Sequence, residues 1–381
     1  MWKFNGLRIF SVLMPIACLT LYSLPGHTFE QSTPCSRFEW ERIPPNQWIQ
    51  LTTCGEPPRK VFHGASALAS DRRTVFFFGA DTHEEDYDNS VYRLSLIDLR
   101  WSRDYEADAL EDYRVTSQGY PVTTTERPWA MHTFDGWDYD PIRKSLVLVG
   151  IPSHATQAIQ HVKDQGELSH AIESTTWRYD PDTHAWTLIP IPTPNFFAGG
   201  LAWDQKGNRF IGHNGYQTFH YDPIHSEWVT YDAPSMPGYH LRLVRDTFTN
   251  TFLSLGNNQS SHMLWSYSSE SILWKRIIVT HEPLPANGAA VAYNSRHHVL
   301  MYIANDSVSS YSNPSGKSVT FLYNSHAQRW VRMPVKSPPL FGMNYLTQYD
   351  HVSDVVLHFE KTDAFSEKVS LWVFRYQPEL Q

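Results

Sequence analysis

Apolar runs along this chain are short, and each is followed by a polar turn and then by a second, β-branched or aromatic run. Six segments share the form: GASALASDRRTVFFFGA from Gly64, TFDGWDYDPIRKSLVLVGI from Thr133, AGGLAWDQKGNRFIGHNG from Ala198, LRLVRDTFTNTFLSLGN from Leu241, GAAVAYNSRHHVLMYIAN from Gly288 and MNYLTQYDHVSDVVLHFEK from Met343. Such runs bounded by turn formers predict β-hairpins. Asp71-Arg72-Arg73, Asp140-Pro141, Asp204-Gln205-Lys206-Gly207 and Asn294-Ser295 supply side chains that bond their own backbone in tight turns. These hairpins are read as the inner strands, A and B, of a repeated unit. A helix-period apolar stripe is absent throughout.

A second hairpin follows each first one and ends on a tryptophan: Trp101, Trp186, Trp228, Trp274 and Trp330. The recurrence is close to the ~50-residue period of a circular or stacked array, stretched where loops are inserted. The last unit stops one strand short, with Leu371 to Tyr376 as its third strand. Asn46 to Leu51 carries the same tryptophan-plus-aliphatic form and precedes the first hairpin. An N-terminal strand that completes the C-terminal unit would close a ring and remove exposed sheet edges. The expected fold is all-β, a six-bladed propeller, with seven blades as the alternative count.

Arg59, His63-Gly64, Phe78-Gly79, Tyr92 and Trp101 resemble a kelch repeat, and Arg127, His132, Gly150, Tyr179 and Trp186 repeat the pattern. The resemblance covers nearly all of the chain after residue 45. It departs from the family in its glycine pair, which becomes Gly-Ala, Gly-Ile, Gly-His and Gly-Asn and is lost from the last two units. Galactose oxidase shares the kelch propeller but uses a copper-bound tyrosine cross-linked to cysteine. Here no cysteine follows Cys54, so the resemblance does not extend to copper-radical oxidase chemistry.

The chain has 381 residues, long for one core, and no linker or charge run divides it. Stacked blades resolve this, because each buries its faces against its neighbours. Lys3 and Arg8 lead an apolar stretch from Ile9 to Leu24, read as a secretory signal over residues 1–26. Residues 27–45 are then an extension and 46–381 the propeller. The apolar stretch is shorter than a membrane span and contains Pro15, so no integral span is expected. Export to the periplasm or beyond makes Cys35 and Cys54 a candidate disulfide, with Cys18 leaving in the leader. A net charge of -8 without a basic cluster argues against nucleic acid as a partner. A monomer is expected. Asn258 and Asn305 open Asn-x-Ser sequons, most simply chance occurrences.

In a four-stranded meander, the loop entering strand A and the loop joining B to C open on one face. That face should collect His63, His83, His132, His154, His213 and His240, with the last units giving amides, aromatics and carboxylates. Histidine, arginine, tyrosine and acids at a channel mouth suit proton transfer or metal binding. The candidates for catalysis are His132, His63, Tyr216 and Arg127. Those for ligand contact are Arg59, Trp129, His83, His154, Tyr239, His240, Asn257, Asn287 and Asp306. His63 and His132 could equally bond between blades, and residues 83–88 could be only a solvated acidic loop. The insertion from Pro152 to Ser174 reads as either a lid or decoration. No cofactor is required by the sequence, although calcium or zinc fits such residues.

Two functions follow. One is an exported propeller that binds a glycan or protein partner on its loop face. The alternative is a lyase on uronate-containing polysaccharide, in which Arg127 neutralises the carboxylate, His132 and His63 serve as bases and Tyr216 as acid. No Gly-x-Ser-x-Gly, His-Glu-x-x-His, phosphate-cradling glycine loop, Cys-x-x-Cys or sialidase-type Asp box occurs in the chain.

Overall fold

The computed structural model describes residues 35–59, 63–84, 86–167, 172–233, 239–257, 264–278, 290–305, 317–341, 344–363, 366 and 368–378. Residues 1–34, where the secretory signal is expected, lie outside them together with Asn258, Asn287 and Asp306, as do the side chains of Tyr239 and Asn257.

Six four-stranded antiparallel sheets form the blades. Blade 1 runs Ala65–Ala69, Thr74–Phe78, Tyr92–Ser95 and Trp101–Arg103. Blade 2 runs Trp137–Asp140, Ser145–Gly150, Thr175–Asp180 and Ala185–Ile189. Blade 3 spans Gly200–Asp204 to Glu227–Asp232, blade 4 Tyr239–Asp246 to Leu273–Ile277, and blade 5 Ala290–Asn294 to Arg329–Arg332. Blade 6 takes Thr347–Asp350, Val355–Lys361 and Val369–Phe374 from the C-terminus and Trp48–Leu51 from the N-terminus. The closing pair is antiparallel, with Trp48 opposite Phe374 and Leu51 opposite Leu371. The ring therefore has six blades, closed as the orphaned strand predicted.

The turns form by the expected chemistry. Asp140 Oδ1 accepts from the N–H groups of Ile142 and Arg143 at 2.9 and 3.0 Å, and Asn294 Oδ1 from those of Arg296 and His297 at 3.0 Å each. Apolar side chains on both faces of the inner strands pack blade on blade: Val75 and Phe77 meet Leu357 and Phe359 of blade 6, while Phe76 and Phe78 meet Trp137 and Trp186 of blade 2.

Cys35 and Cys54 are joined in a disulfide with Cα atoms 5.9 Å apart. It ties down the extension, whose Phe38, Trp40 and Ile43 bury against blades 1 and 6. Trp40 Nε1 donates to the Leu96 carbonyl at 2.7 Å. Asn305 is buried at 1% exposure, so its sequon presents no accessible side chain.

Two insertions depart from the strand-only expectation. Between blades 1 and 2, Tyr113–Val115 pairs with Pro121–Thr123 in a small sheet. After Gly150 comes a helix, Thr156–Asp164, which buries Ala158 and Val162. Two buried positions four apart are too few to show as a periodic stripe. No helix among the described residues is long and apolar enough to cross a membrane.

Candidate functional site

The loops that open at the junction of blades 1 and 2 bring four imidazoles together. His63 precedes the first strand of blade 1, and Asp81 and His83 follow its second. His132 precedes the first strand of blade 2, and His154 follows its second. Close approach fixes the junction: Gly79 has φ +119°, and a Cβ there would stand 2.8 Å from the Gly64 Cα and 2.4 Å from Thr133 Oγ1. Beside it, Ala80 N–H donates to the Met131 carbonyl at 3.0 Å, holding Asp81 against His132. The helix after His154 packs Ala155 and Ala158 with Ala80, Trp129 and Ala130, anchoring the fourth imidazole.

His63, His132 and His154 form a stacked column. Ring centroids are 4.2 Å apart at 12° for the first pair and 4.7 Å apart at 11° for the second. His83 stands edge-on to all three, with centroids 6.0, 4.6 and 4.7 Å away. His83 is exposed, His63 and His154 half-buried and His132 buried. Asp81 Oδ1 lies 3.5 Å from His63 Nδ1 and 3.6 Å from His132 Nε2. Those separations exceed a well-formed hydrogen bond, and all three atoms are buried without a hydrogen-bond partner among the described residues.

Burial pushes His132 down to about 4, with the neighbouring imidazoles adding to the effect and Asp81 opposing it. His154 is lowered by burial first and by the charges of His83 and His63 next. Burial raises the Asp81 carboxyl, but His132 and His63 outweigh it and hold it below the usual carboxylate range. At neutral pH the consistent arrangement is a neutral His132 turning an N–H toward an ionised Asp81.

Behind the column, residues at equivalent blade positions meet on the axis. His63, Phe134, Ala198 and His240, at the entrances to blades 1 to 4, have left-handed φ values of 60°, 50°, 54° and 64°. Left-handed backbone at bulky residues costs energy and is kept where surrounding structure imposes it. Phe134 packs with Ala198 and Tyr345 of blade 6, and Tyr345 Oη lies 2.6 Å from His240 Nδ1. Phe134 and Tyr345 carry no motif. Only superposition of the repeats would have singled them out.

The other candidates lie elsewhere. Arg127 pairs with Asp108 at 3.1 Å and stacks over Tyr105 with 3.9 Å to the ring centroid. Trp129 is fully buried and donates from Nε1 to the carbonyls of Arg114 and Val122 at 3.1 and 3.0 Å, so neither face of its indole is open for stacking. Arg59 is exposed beside Glu56. Tyr216 is 68% exposed on a blade 3 loop. His213 is enclosed, with Nε2 2.8 Å from Ser254 Oγ.

No protein-family model matches this chain, and a search of curated proteins finds no relative.

Proposed function

We propose that the protein is an exported, kelch-like propeller that binds a glycan or protein partner on its loop face, with the histidine column at the centre of contact. The observation that supports this best is the column itself: burial keeps His132 and His154 neutral, and a neutral imidazole offers both a donor and an acceptor to a polar ligand. Phe197, 38% exposed and 5.3 Å from the His154 ring, adds an aromatic face beside them. The Cys35–Cys54 disulfide supports an oxidising compartment. A glycan array probed with the mature chain, followed by titration calorimetry on its hits, tests the reading. Binding should fall at least tenfold in His83→Ala and Phe197→Ala with melting unchanged; hits that bind both variants as tightly as the wild type would move the contact surface away from the column.

The lyase reading is favoured by one observation, the Tyr345–His240 contact at 2.6 Å beside His63, whose ring lies 6.4 Å from that of His240. A tyrosine and a histidine in reach of each other can share the proton transfers of β-elimination; both are buried, so substrate would meet the half-buried His63 first. Its arginine clamp would not be Arg127, which Asp108 already neutralises. Incubation with polygalacturonate, alginate and hyaluronan decides the matter through the ultraviolet absorbance of the unsaturated product. Its absence with all three substrates would leave the binding reading alone.

A further inference from the structure

We propose that His83, His132 and His154 hold one divalent ion of the zinc class at the junction of blades 1 and 2, with Asp81 orienting His132 from behind. A ligand nitrogen from each of the three lies within 4.8 Å of the others. Two nitrogens at ordinary zinc bond lengths in a tetrahedral site stand about 3.3 Å apart, so side-chain rotation must close the set.

The donor chemistry is selective. Three imidazoles without a thiolate suit zinc, nickel or copper, whereas calcium and magnesium demand a cage of oxygens. Cys35 and Cys54 are committed to their disulfide. Three protein ligands leave a fourth position open, and His83 on the exposed side gives it access to solvent.

Asp81 supplies the supporting carboxylate. A metal-bound histidine almost always donates its second ring N–H to a carboxylate or carbonyl, which fixes tautomer and orientation. His132 Nε2 faces Asp81 Oδ1 at 3.6 Å, leaving Nδ1 as the ligating atom. This arrangement accounts for two buried polar atoms that otherwise have no hydrogen-bond partner among the described residues. His132, buried between His63 and His154, is the fixed ligand. Two parallel imidazoles cannot both aim a lone pair at one ion, so coordination turns His154 out of its 11° stack with His132. The half-buried position of His154 leaves room for that rotation.

Zinc uptake is measured on chelator-stripped mature protein by competition with a chromophoric chelator, and cobalt(II) serves as the spectroscopic probe. No glycan is present, so the outcome is independent of the binding reading. The expected result is one zinc per chain, a four-coordinate cobalt spectrum without a thiolate charge-transfer band, and no competition from calcium. His83→Ala and His154→Ala should each weaken zinc by tenfold or more without changing the melt of the stripped protein. Asp81→Asn should weaken it about 10- to 100-fold. Failure of the wild type to take up zinc, or wild-type affinity in both His83→Ala and His154→Ala, would overturn the assignment. Because those two positions are exposed or half-buried, the test does not depend on a His132 variant that folds.

Discussion

Trp48 Nε1 donates to Thr320 Oγ1 across 3.0 Å, from the closing strand of blade 6 to the third strand of blade 5. The same relationship recurs where Trp228 meets Thr176 at 2.9 Å and Trp274 meets Thr218 at 2.7 Å, each from an outermost strand to the preceding blade. Trp186 reaches Tyr105 Oη at 2.6 Å, and Trp101 reaches Thr53 Oγ1, just after the closing strand, at 3.1 Å. In these five blades the outer-strand tryptophan is thus an inter-blade strut: it packs a large ring between sheets while satisfying its one donor.

Trp48→Ala should therefore destabilise the whole ring. Removing a buried tryptophan costs about 3–5 kcal/mol, and Thr320 Oγ1 is left with its contact to Ser337 Oγ alone. Deleting residues 46–51 should do more, since it also exposes the edge of Val369–Phe374 and invites aggregation. Denaturant midpoints and light scattering on heating check both; wild-type values in the deletion would refute closure by this strand.

The Cys35–Cys54 disulfide closes a segment with a sequence separation of 19 around Phe38, Trp40 and Ile43. A loop of that size is worth about 3 kcal/mol in chain entropy. Cys35→Ser with Cys54→Ser should lower the melting temperature by several degrees. Reductant should do the same to the wild type and nothing further to the double variant.

Blade count and closure were legible because a propeller repeats its local rules: turn-forming Asp140 and Asn294, and one tryptophan in each outer strand. The histidine convergence was legible for a topological reason, since loops of alternate parity share a face whatever their sequence. Arg127 and Trp129 were not, because the insertion before blade 2 forms its own small sheet, and its Asp108, Tyr105 and backbone carbonyls claim both side chains. No local pattern encodes those partners. The helix after His154 went unseen for the related reason that nine residues pack by tertiary contact with Trp129 and Tyr113.

Acid should destabilise the protein through histidines outside the column. Burial alone pushes His213 down to about 3; burial, opposed by the Pro339 carbonyl, takes His358 to about 4. Both are depressed below the unfolded value of about 6.5, so between roughly pH 6.5 and pH 4 the unfolded chain binds more protons. Stability from these groups is present above pH 6.5 and is lost as pH falls. Each should contribute a loss of about 2 kcal/mol at pH 5. Denaturation at pH 7 and pH 5 measures the difference, which should shrink in His213→Gln and His358→Gln.

The last prediction concerns Arg242, a buried cation of blade 4 at 3% exposure. It pairs with Asp135, at the entrance to blade 2, at 2.8 Å and donates to the blade 6 carbonyls of Tyr345 and Thr347, the latter at 3.1 Å. Asp135 in turn accepts from the Leu243 N–H at 3.0 Å. One guanidinium thus joins three blades across the axis, next to a cavity of about 190 Å³. Burial pushes the Asp135 carboxyl up to about 7 against the pull of Arg242, so Arg242→Ala leaves a buried, protonated Asp135 and removes a donor from the Tyr345 and Thr347 carbonyls; it should lower the urea midpoint strongly while the slope m stays constant. Arg242→Lys keeps the charge but not the fork that spans several acceptors, and should recover only part of the loss. Arg242→Met combined with Asp135→Asn removes both charges and should be more stable than Arg242→Ala alone. If the double variant is instead less stable by the sum of its single changes, the pair acts as two independent side chains, and the axial link between blades rests on backbone contacts.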